Sequence, residues 1–248
     1  MKPKNLTQSV YPEAMYGGYS RCDGSVEFQA RVQSILPTHG TCLDIGCGRG
    51  VAFDDTGSSY RARLHDLRGP TRKVIGIDVD EVGVENPSLD EFRLLTLGKA
   101  WPIESASIDV AMARTVLEHV PNPHEFFAEL HRVLKPGGMF AINTTNLLGY
   151  PGLISACIPN RFHTAVISRV QPGREDKDVF PTLYRCNTKW AIERAARRAG
   201  FDVAVYGWTS EPNYFAFSSV LFRIGAIAHR LIPSSLGPAL FAFGQRPH

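Results

Sequence analysis

Thr41-Cys42-Leu43-Asp44-Ile45-Gly46-Cys47-Gly48-Arg49-Gly50 is the stretch that decides how this chain folds. Cys42, Leu43 and Ile45 give it the apolar, strand-forming character of a short buried β-strand. Gly46, Gly48 and Gly50 then alternate through a tight turn expected to open a helix. Glycine accepts positive φ without a steric penalty and lets a ligand approach the backbone with no Cβ in the way. A turn of this kind at a helix start suits a polar or anionic ligand group. Two details narrow the ligand further. Asp44 stands two residues before the first glycine and puts negative charge where a dinucleotide pyrophosphate would have to lie. The spacing is GxGxG, with Val51 in place of the third glycine of GxGxxG. Both favour a cationic ligand without phosphate, and they make Asp44, Gly46, Cys47, Gly48 and Gly50 candidate cofactor-binding residues.

The next apolar run, Lys73 to Asp80 (KVIGIDVD), is closed by Asp78, placed to hold the two hydroxyls of a ribose, with Val79 beside it. With that second acid the chain resembles the class I S-adenosylmethionine-dependent methyltransferases. LDIGCGRG looks like their first motif and Asp78 like their ribose-binding acid; IDVAMARTVLEHV (108–120) and ELHRVLKPGG (129–138) look like later motifs. The resemblance covers about residues 38 to 145. It implies S-adenosylmethionine as cofactor and a doubly wound α/β fold: a mostly parallel, seven-stranded, Rossmann-like sheet with an antiparallel last strand and an inserted cap. Many relatives hold the adenine amino group with an acidic residue after the third strand. Here that stretch reads LGKAWP, with Lys99 near the position, so adenine recognition falls to backbone groups around Gly98–Ala100. Arg114, at the carboxyl end of the fourth strand where open α/β sheets place ligands, joins Lys99 and Ala100 as a cofactor-site candidate.

The cofactor of such enzymes carries a sulfonium, so the enzyme's main task is to align an acceptor with the S–CH3 bond. A hydroxyl acceptor also needs a general base, and a histidine titrating near neutrality is the usual choice. Glu118-His119, following the fourth strand, is the expected catalytic pair. A quinone-ring O-methylating subset binds a divalent metal through Glu-x-x-Glu-His at this place; the chain has Thr115 where the first Glu would stand, and no metal is expected.

Composition agrees with an ordinary globular protein: 44% apolar and 21% charged residues in 248. A net charge of +3 with no dense Lys/Arg run argues against nucleic acid. The five cysteines form no C-x-x-C pair, which points to reduced thiols and a cytoplasmic location. No uncharged apolar stretch reaches the roughly 18 residues of a membrane span.

The chain reads as one domain over 1–248. An N-terminal arm and helix occupy 1–37, a cap over the acceptor site 144–186, and a helical insertion 210–238 before the last strand. Ser25 is read as the N-cap of the first long helix, and the arm before it either lids the cofactor through Tyr16, Tyr19 or Arg21 or simply packs on its own domain. Arg61, Arg63 and Arg68 are read as a solvated helix face. Asn122, Pro123 and Glu125 form a strong helix start, with Phe126, Phe127, Leu130, Val133 and Leu134 as its core stripe. A short helix is read over 147–158, and His163, Asp178, Tyr184 and Arg185 are secondary site candidates. A helix over 214–232 carries Val220, Ile224, Ile227 and Leu231 on one stripe. Core packing or a dimer contact is the first expectation for it, and docking on a membrane surface the alternative.

The sequence therefore points to methyl transfer onto a hydroxyl of a small or medium-sized acceptor: a sugar, a lipid-linked glycan or a secondary metabolite. DVFPTLYRCNT in the later half looks like bacterial methyltransferases whose acceptors are mostly unassigned. The alternatives are a non-catalytic partner protein of the same fold and, less favoured by Asp44 and Val51, a nicotinamide-dependent oxidoreductase.

Overall fold

Strand and helix patterns alternate along the first two thirds of the chain, and a computed structural model describes how they assemble for residues 2–50, 59–150 and 181–248. In chain order these are α1 (Leu6–Val10), α2 (Gly24–Ile35), β1 (Gly40–Ile45), α3 (Ser59–His65), β2 (Arg72–Asp78), β3 (Glu91–Leu94) and β4 (Ile108–Arg114). Then come α4 (Pro123–Val133), β5 (Leu134–Thr145), α5 (Lys189–Arg198), β6 (Asp202–Trp208), α6 (Ser219–Leu231) and β7 (Ala239–Gln245). The seven strands form one sheet in the order β3-β2-β1-β4-β5-β7-β6. β1 to β5 pair in parallel, and β7 lies antiparallel between β5 and β6. The expected doubly wound sheet with an antiparallel last strand is present.

Both faces of the central strands are buried, which is why they read as continuous apolar runs. Successive side chains point to opposite sides, so Leu43, Ile75 and Ala111 join one core while Cys42, Val74 and Val110 join the other. On the first face Phe127, Leu130 and Val133 of α4 pack with Ile192 and Ala196 of α5. On the second, Phe28 and Val32 of α2 pack against Phe241 of β7. The α4 aromatics are core, as their spacing predicts.

Several local expectations shift. Asp23, not Ser25, caps α2: its Oδ1 accepts from the N–H groups of Ser25 and Val26, both at 3.0 Å. A carboxylate one residue ahead of the helix satisfies two otherwise orphaned donors and favours the helix dipole. α4 begins where expected, with Asn122 accepting from His124 and Glu125. Lys135 to Gly138 does not separate helix from strand. β5 already starts at Leu134, and its register against β4 slips between Ile108 and Val110, where Gly137 takes φ +79°. The last helix starts later than its apolar pattern does. Asn213–Phe215 is a 3-10 turn, and Ser218 caps α6 by accepting from the Leu221 N–H. Its Val220–Ile224–Ile227–Leu231 stripe is exposed, so core packing is wrong for it. Phe222 and Ala226 on the opposite side are buried against Tyr11 and Ala14. Arg61 is not on a solvated face either: it pairs with the buried carboxylate of Asp23. The readings of Val51, His163, Asp178 and most of the 144–186 cap lie outside the described residues.

Candidate active site

The carboxyl ends of β1, β2 and β4 bring the sequence-predicted residues to one edge of the sheet. Gly46 ends β1 by donating to the Ile77 carbonyl at 2.8 Å, and its φ of +65° puts the missing Cβ where it would lie 2.3 Å from Val116 Cγ2. Gly46 is therefore required by conformation and by packing at once. Gly48 differs: at φ +49° its Cβ position faces open space. Its N–H donates to Asp78 Oδ2 (2.8 Å), while Asp78 Oδ1 accepts from the Asp80 N–H (3.0 Å). Two backbone donors thus fix the Asp78 carboxylate against the glycine turn. Cys47 is buried, and its carbonyl is tied to the Asn86 side chain at 3.0 Å. Burial, then the charges of Asp44 and Asp78, push its thiol pKa up, so it is inert as a nucleophile.

Asp44 sits between like and unlike charge. Desolvation lifts its carboxyl to about 6; the Arg114 guanidinium opposes that rise and Asp78 adds to it. Arg114 itself donates from one terminal nitrogen to His65 Nδ1 (2.9 Å), and its buried Nε–H has no partner among the described residues. His65 continues the chain. Gln29 Nε2 also approaches Nδ1 (3.3 Å), and Ser25 Oγ lies 3.2 Å from Nε2. Both neighbours of Nδ1 are donors, so Nδ1 must accept and Nε2–H must donate to Ser25. Desolvation, then Arg114 and Arg61, lower the His65 pKa to about 4, which keeps it neutral. Nothing in the sequence singled out His65. It stands in a polar, basic stretch, and its partners come from two other elements, α2 and β4.

Beside this polar chain a cleft of about 450 Å³ opens between the N-terminal arm, the start of α2, α3 and the loop after β6. Its lining is polar: Asn5, Gln8, Asp23, Arg61, Glu211 and Asn213 among others. Glu211 is buried and accepts from Ser20 Oγ at 2.6 Å. Tyr19, at the rim, stacks on Tyr60. Tyr16 is exposed, and Arg21 pairs with Glu13.

The Glu118–His119 pair divides. The Glu118 carboxylate is buried and accepts from Thr144 Oγ1 (2.7 Å) and Thr145 Oγ1 (3.4 Å), while its carbonyl accepts from Leu183 and Tyr184. It joins the end of β5 to the returning chain. His119 Nδ1 donates to the Pro181 carbonyl at 2.9 Å. In the neutral ring that leaves the lone pair on Nε2. Val79, Lys99 and Ala100 are exposed at the ends of β2 and β3, where Lys99 closes a turn by donating to the Thr96 carbonyl at 3.1 Å. Arg185 is exposed.

These residues fit S-adenosylmethionine. Gly48 leaves a cradle that a Cβ would fill, and Asp44 is an acid whose burial a cationic ligand relieves. Asp78 is fixed beside the turn, and the Arg114 Nε–H is a buried donor awaiting an acceptor.

Comparison with known proteins agrees. Residues 43–142 match the family described as a methyltransferase domain. An uncharacterised methyltransferase of Mycobacteroides abscessus is 27% identical over 172 residues, 65% of this chain and 64% of the relative. A Mycolicibacterium smegmatis protein described as a "probable S-adenosylmethionine-dependent methyltransferase" is 33% identical over 135 residues, 52% of this chain and 47% of the relative. This chain thus spans less than two thirds of those relatives' lengths. Among solved structures, a methyltransferase in complex with the Haloferax volcanii activator Trm112 superposes with a TM-score of 0.57 at 18% identity, covering 89% of both chains. An S-adenosylmethionine-dependent methyltransferase from Mesorhizobium loti gives 0.51 at 19%, covering 90% of this chain and 99% of the other. Motif, fold and site geometry agree: residues 43–142 match a methyltransferase domain, and the residues at the strand ends fit S-adenosylmethionine.

Proposed function

We propose that this chain transfers a methyl group from S-adenosylmethionine to an oxygen of a polyhydroxylated acceptor held in the cleft beside α2. A sugar, a lipid-linked glycan or a hydroxylated secondary metabolite belongs to this class. The observation that carries the reading is the cleft's lining. Carboxamides of Asn5, Gln8 and Asn213, the carboxylates of Asp23 and Glu211 and the guanidinium of Arg61 interleave donors with acceptors. A sugar hydroxyl needs both kinds of partner.

Bound S-adenosylmethionine supplies the electrophilic methyl. The chain's own residues hold the cofactor and orient the acceptor. Asp44 and Asp78 provide the acidic floor, Gly46 allows the turn, and Gly48 permits close approach. Orientation alone lowers such barriers by several kcal/mol. His119, which follows β4 and gives its Nδ1–H to the Pro181 carbonyl, is the residue of our reading that serves as general base toward a hydroxyl acceptor.

The test is calorimetric titration of the full chain and of Asp78→Ala with S-adenosylhomocysteine, followed by transfer of labelled methyl to a panel of glycans, polyols and amines. Micromolar binding that disappears in Asp78→Ala, with label entering hydroxylated acceptors, supports the reading. Binding by neither protein sinks methyl transfer. Label entering only amines sinks oxygen as the acceptor atom.

A further inference from the structure

α6 carries more apolar surface than its fold needs. Phe222, Gly225 and Ala226 already fix it through a buried face against Tyr11 and Ala14. On the other side Val220 (64% exposed), Ile224 (57%), Ile227 (59%) and Leu231 (80%) form a second stripe, and Phe217 before the helix and Leu236 after it are exposed too. A contiguous exposed stripe of this size on one element marks a docking surface rather than scattered surface residues.

The charge around it selects the partner. Arg223 and Arg230 are exposed, seven residues apart on the same helix. The chain has no Asp or Glu after Glu211, which is itself buried and bonded to Ser20. α1 packs against α6, and exposed Lys2 and Lys4 precede α1. The acid on the adjoining 3-10 turn, Glu13, is paired with Arg21. A second copy meeting this face by two-fold symmetry would bring arginine toward arginine, with no carboxylate among the described residues of the face to receive it. A surface of anionic lipid head groups meets the cations with opposite charge and the stripe with acyl chains.

We propose that the outer face of α6, flanked by Arg223, Arg230 and the lysines before α1, docks this chain on a bilayer containing anionic lipid. The 13-residue helix is about 20 Å long. It is too short to cross the hydrocarbon core and lies in the interface plane. No described helix is long and apolar enough to cross a membrane. The cleft shares its walls with the elements that carry this face. Asn5 and Gln8 of α1, and Asn213 in the turn leading to α6, line it. Docking rests on the stripe and its charge, independently of which acceptor the cleft takes.

The experiment is flotation of the full chain with phosphatidylcholine vesicles and with vesicles containing 30% phosphatidylglycerol, at low salt and at 0.5 M NaCl. Three proteins are compared: wild type, Arg223→Glu/Arg230→Glu and Ile224→Gln/Ile227→Gln. Thermal melting and S-adenosylhomocysteine binding check that each variant is folded. The expected result is flotation with the anionic vesicles only, weakened by salt. The arginine pair should lose at least about 30-fold in partitioning, about fivefold for each cation removed with the added carboxylates acting in the same direction, and the isoleucine pair at least tenfold. Absence of flotation by wild type overturns the proposal, as does flotation unchanged in both folded variants. A stable dimer by light scattering that Ile224→Gln/Ile227→Gln dissociates overturns it too, because a second copy then covers the stripe.

Discussion

Replacing Asp44 by Asn should make the protein more stable and a worse cofactor binder at the same time. The unfolded chain ionises Asp44 near 3.8 and the folded protein near 6, because burial outweighs the opposing Arg114 charge. A folded pKa above the unfolded one means that the native state holds the proton more tightly. The associated stability is present below about pH 4 and is lost as pH rises through 6. The difference between 6 and 3.8 is about 2.2 units, or up to about 3 kcal/mol at 1.36 kcal/mol per unit. Asn is nearly isosteric and carries no charge to desolvate. At pH 7.5 the variant should therefore melt higher by as much as about 6–12 °C, at 2–4 °C per kcal/mol for a chain of this size. At pH 4 the two proteins should melt together. Binding should run the other way. S-adenosylmethionine carries one more positive charge than S-adenosylhomocysteine, so the preference for the charged form should shrink in the variant. In wild type it should also shrink as pH falls through 6. The assay is a thermal melt of both proteins from pH 4 to 8, each with and without ligand. Melting temperatures that stay parallel across the whole range would refute the claim that Asp44 is a half-buried, desolvated charge suited to a cation.

Two more substitutions test the site from other sides. Gly46→Ala combines a positive φ with a Cβ 2.3 Å from Val116 Cγ2, so it should cost roughly 2–5 kcal/mol in denaturant unfolding. Gly48→Ala, with strain but no contact, should cost only about 1–2 kcal/mol and show its main effect as lost S-adenosylhomocysteine binding; equal losses of stability would contradict the geometry. His119→Gln should lower the rate of methyl transfer by about 10²–10⁴ with cofactor affinity unchanged. Glu118→Gln should act on stability instead, through its bonds to Thr144 and Thr145.

The glycine turn, Asp78 and the apolar strand runs were legible because each is local. A strand buried on both faces announces itself over six residues, and α4 announces itself through Asn122, Pro123 and Glu125 in succession. The polar chain under the cleft was not legible. Asp23 and Arg61 are 38 residues apart, Ser20 and Glu211 are 191 apart, and no periodicity links them. Arg61 read as solvated because nothing nearby in sequence shows that α2 would present a carboxylate to it. α6 was misread for a different reason. Its buried side consists largely of the small residues Gly225 and Ala226 around Phe222, so the larger, exposed stripe dominates any reading of its hydrophobic pattern.

The place of β7 divides the molecule by the way it is assembled. β1 to β5 join through parallel pairings, the most distant in the chain being β1 with β4, where Cys42 faces Val110. β7 instead pairs Gln245 with Met139 and Asp202 with Gln245, closing a loop of 106 positions against β5. β6 has no neighbour in the sheet until that closure is made. Loop-closure entropy grows only with the logarithm of length, so the intervening stretch can change in size at little thermodynamic cost. That stretch holds Glu211, Asn213 and α6, which form one wall of the cleft and the outward apolar face. The cofactor half is thus built from contacts that tolerate few insertions. The half that lines the proposed acceptor cleft is attached to the sheet through β7, and changes there leave the glycine turn undisturbed.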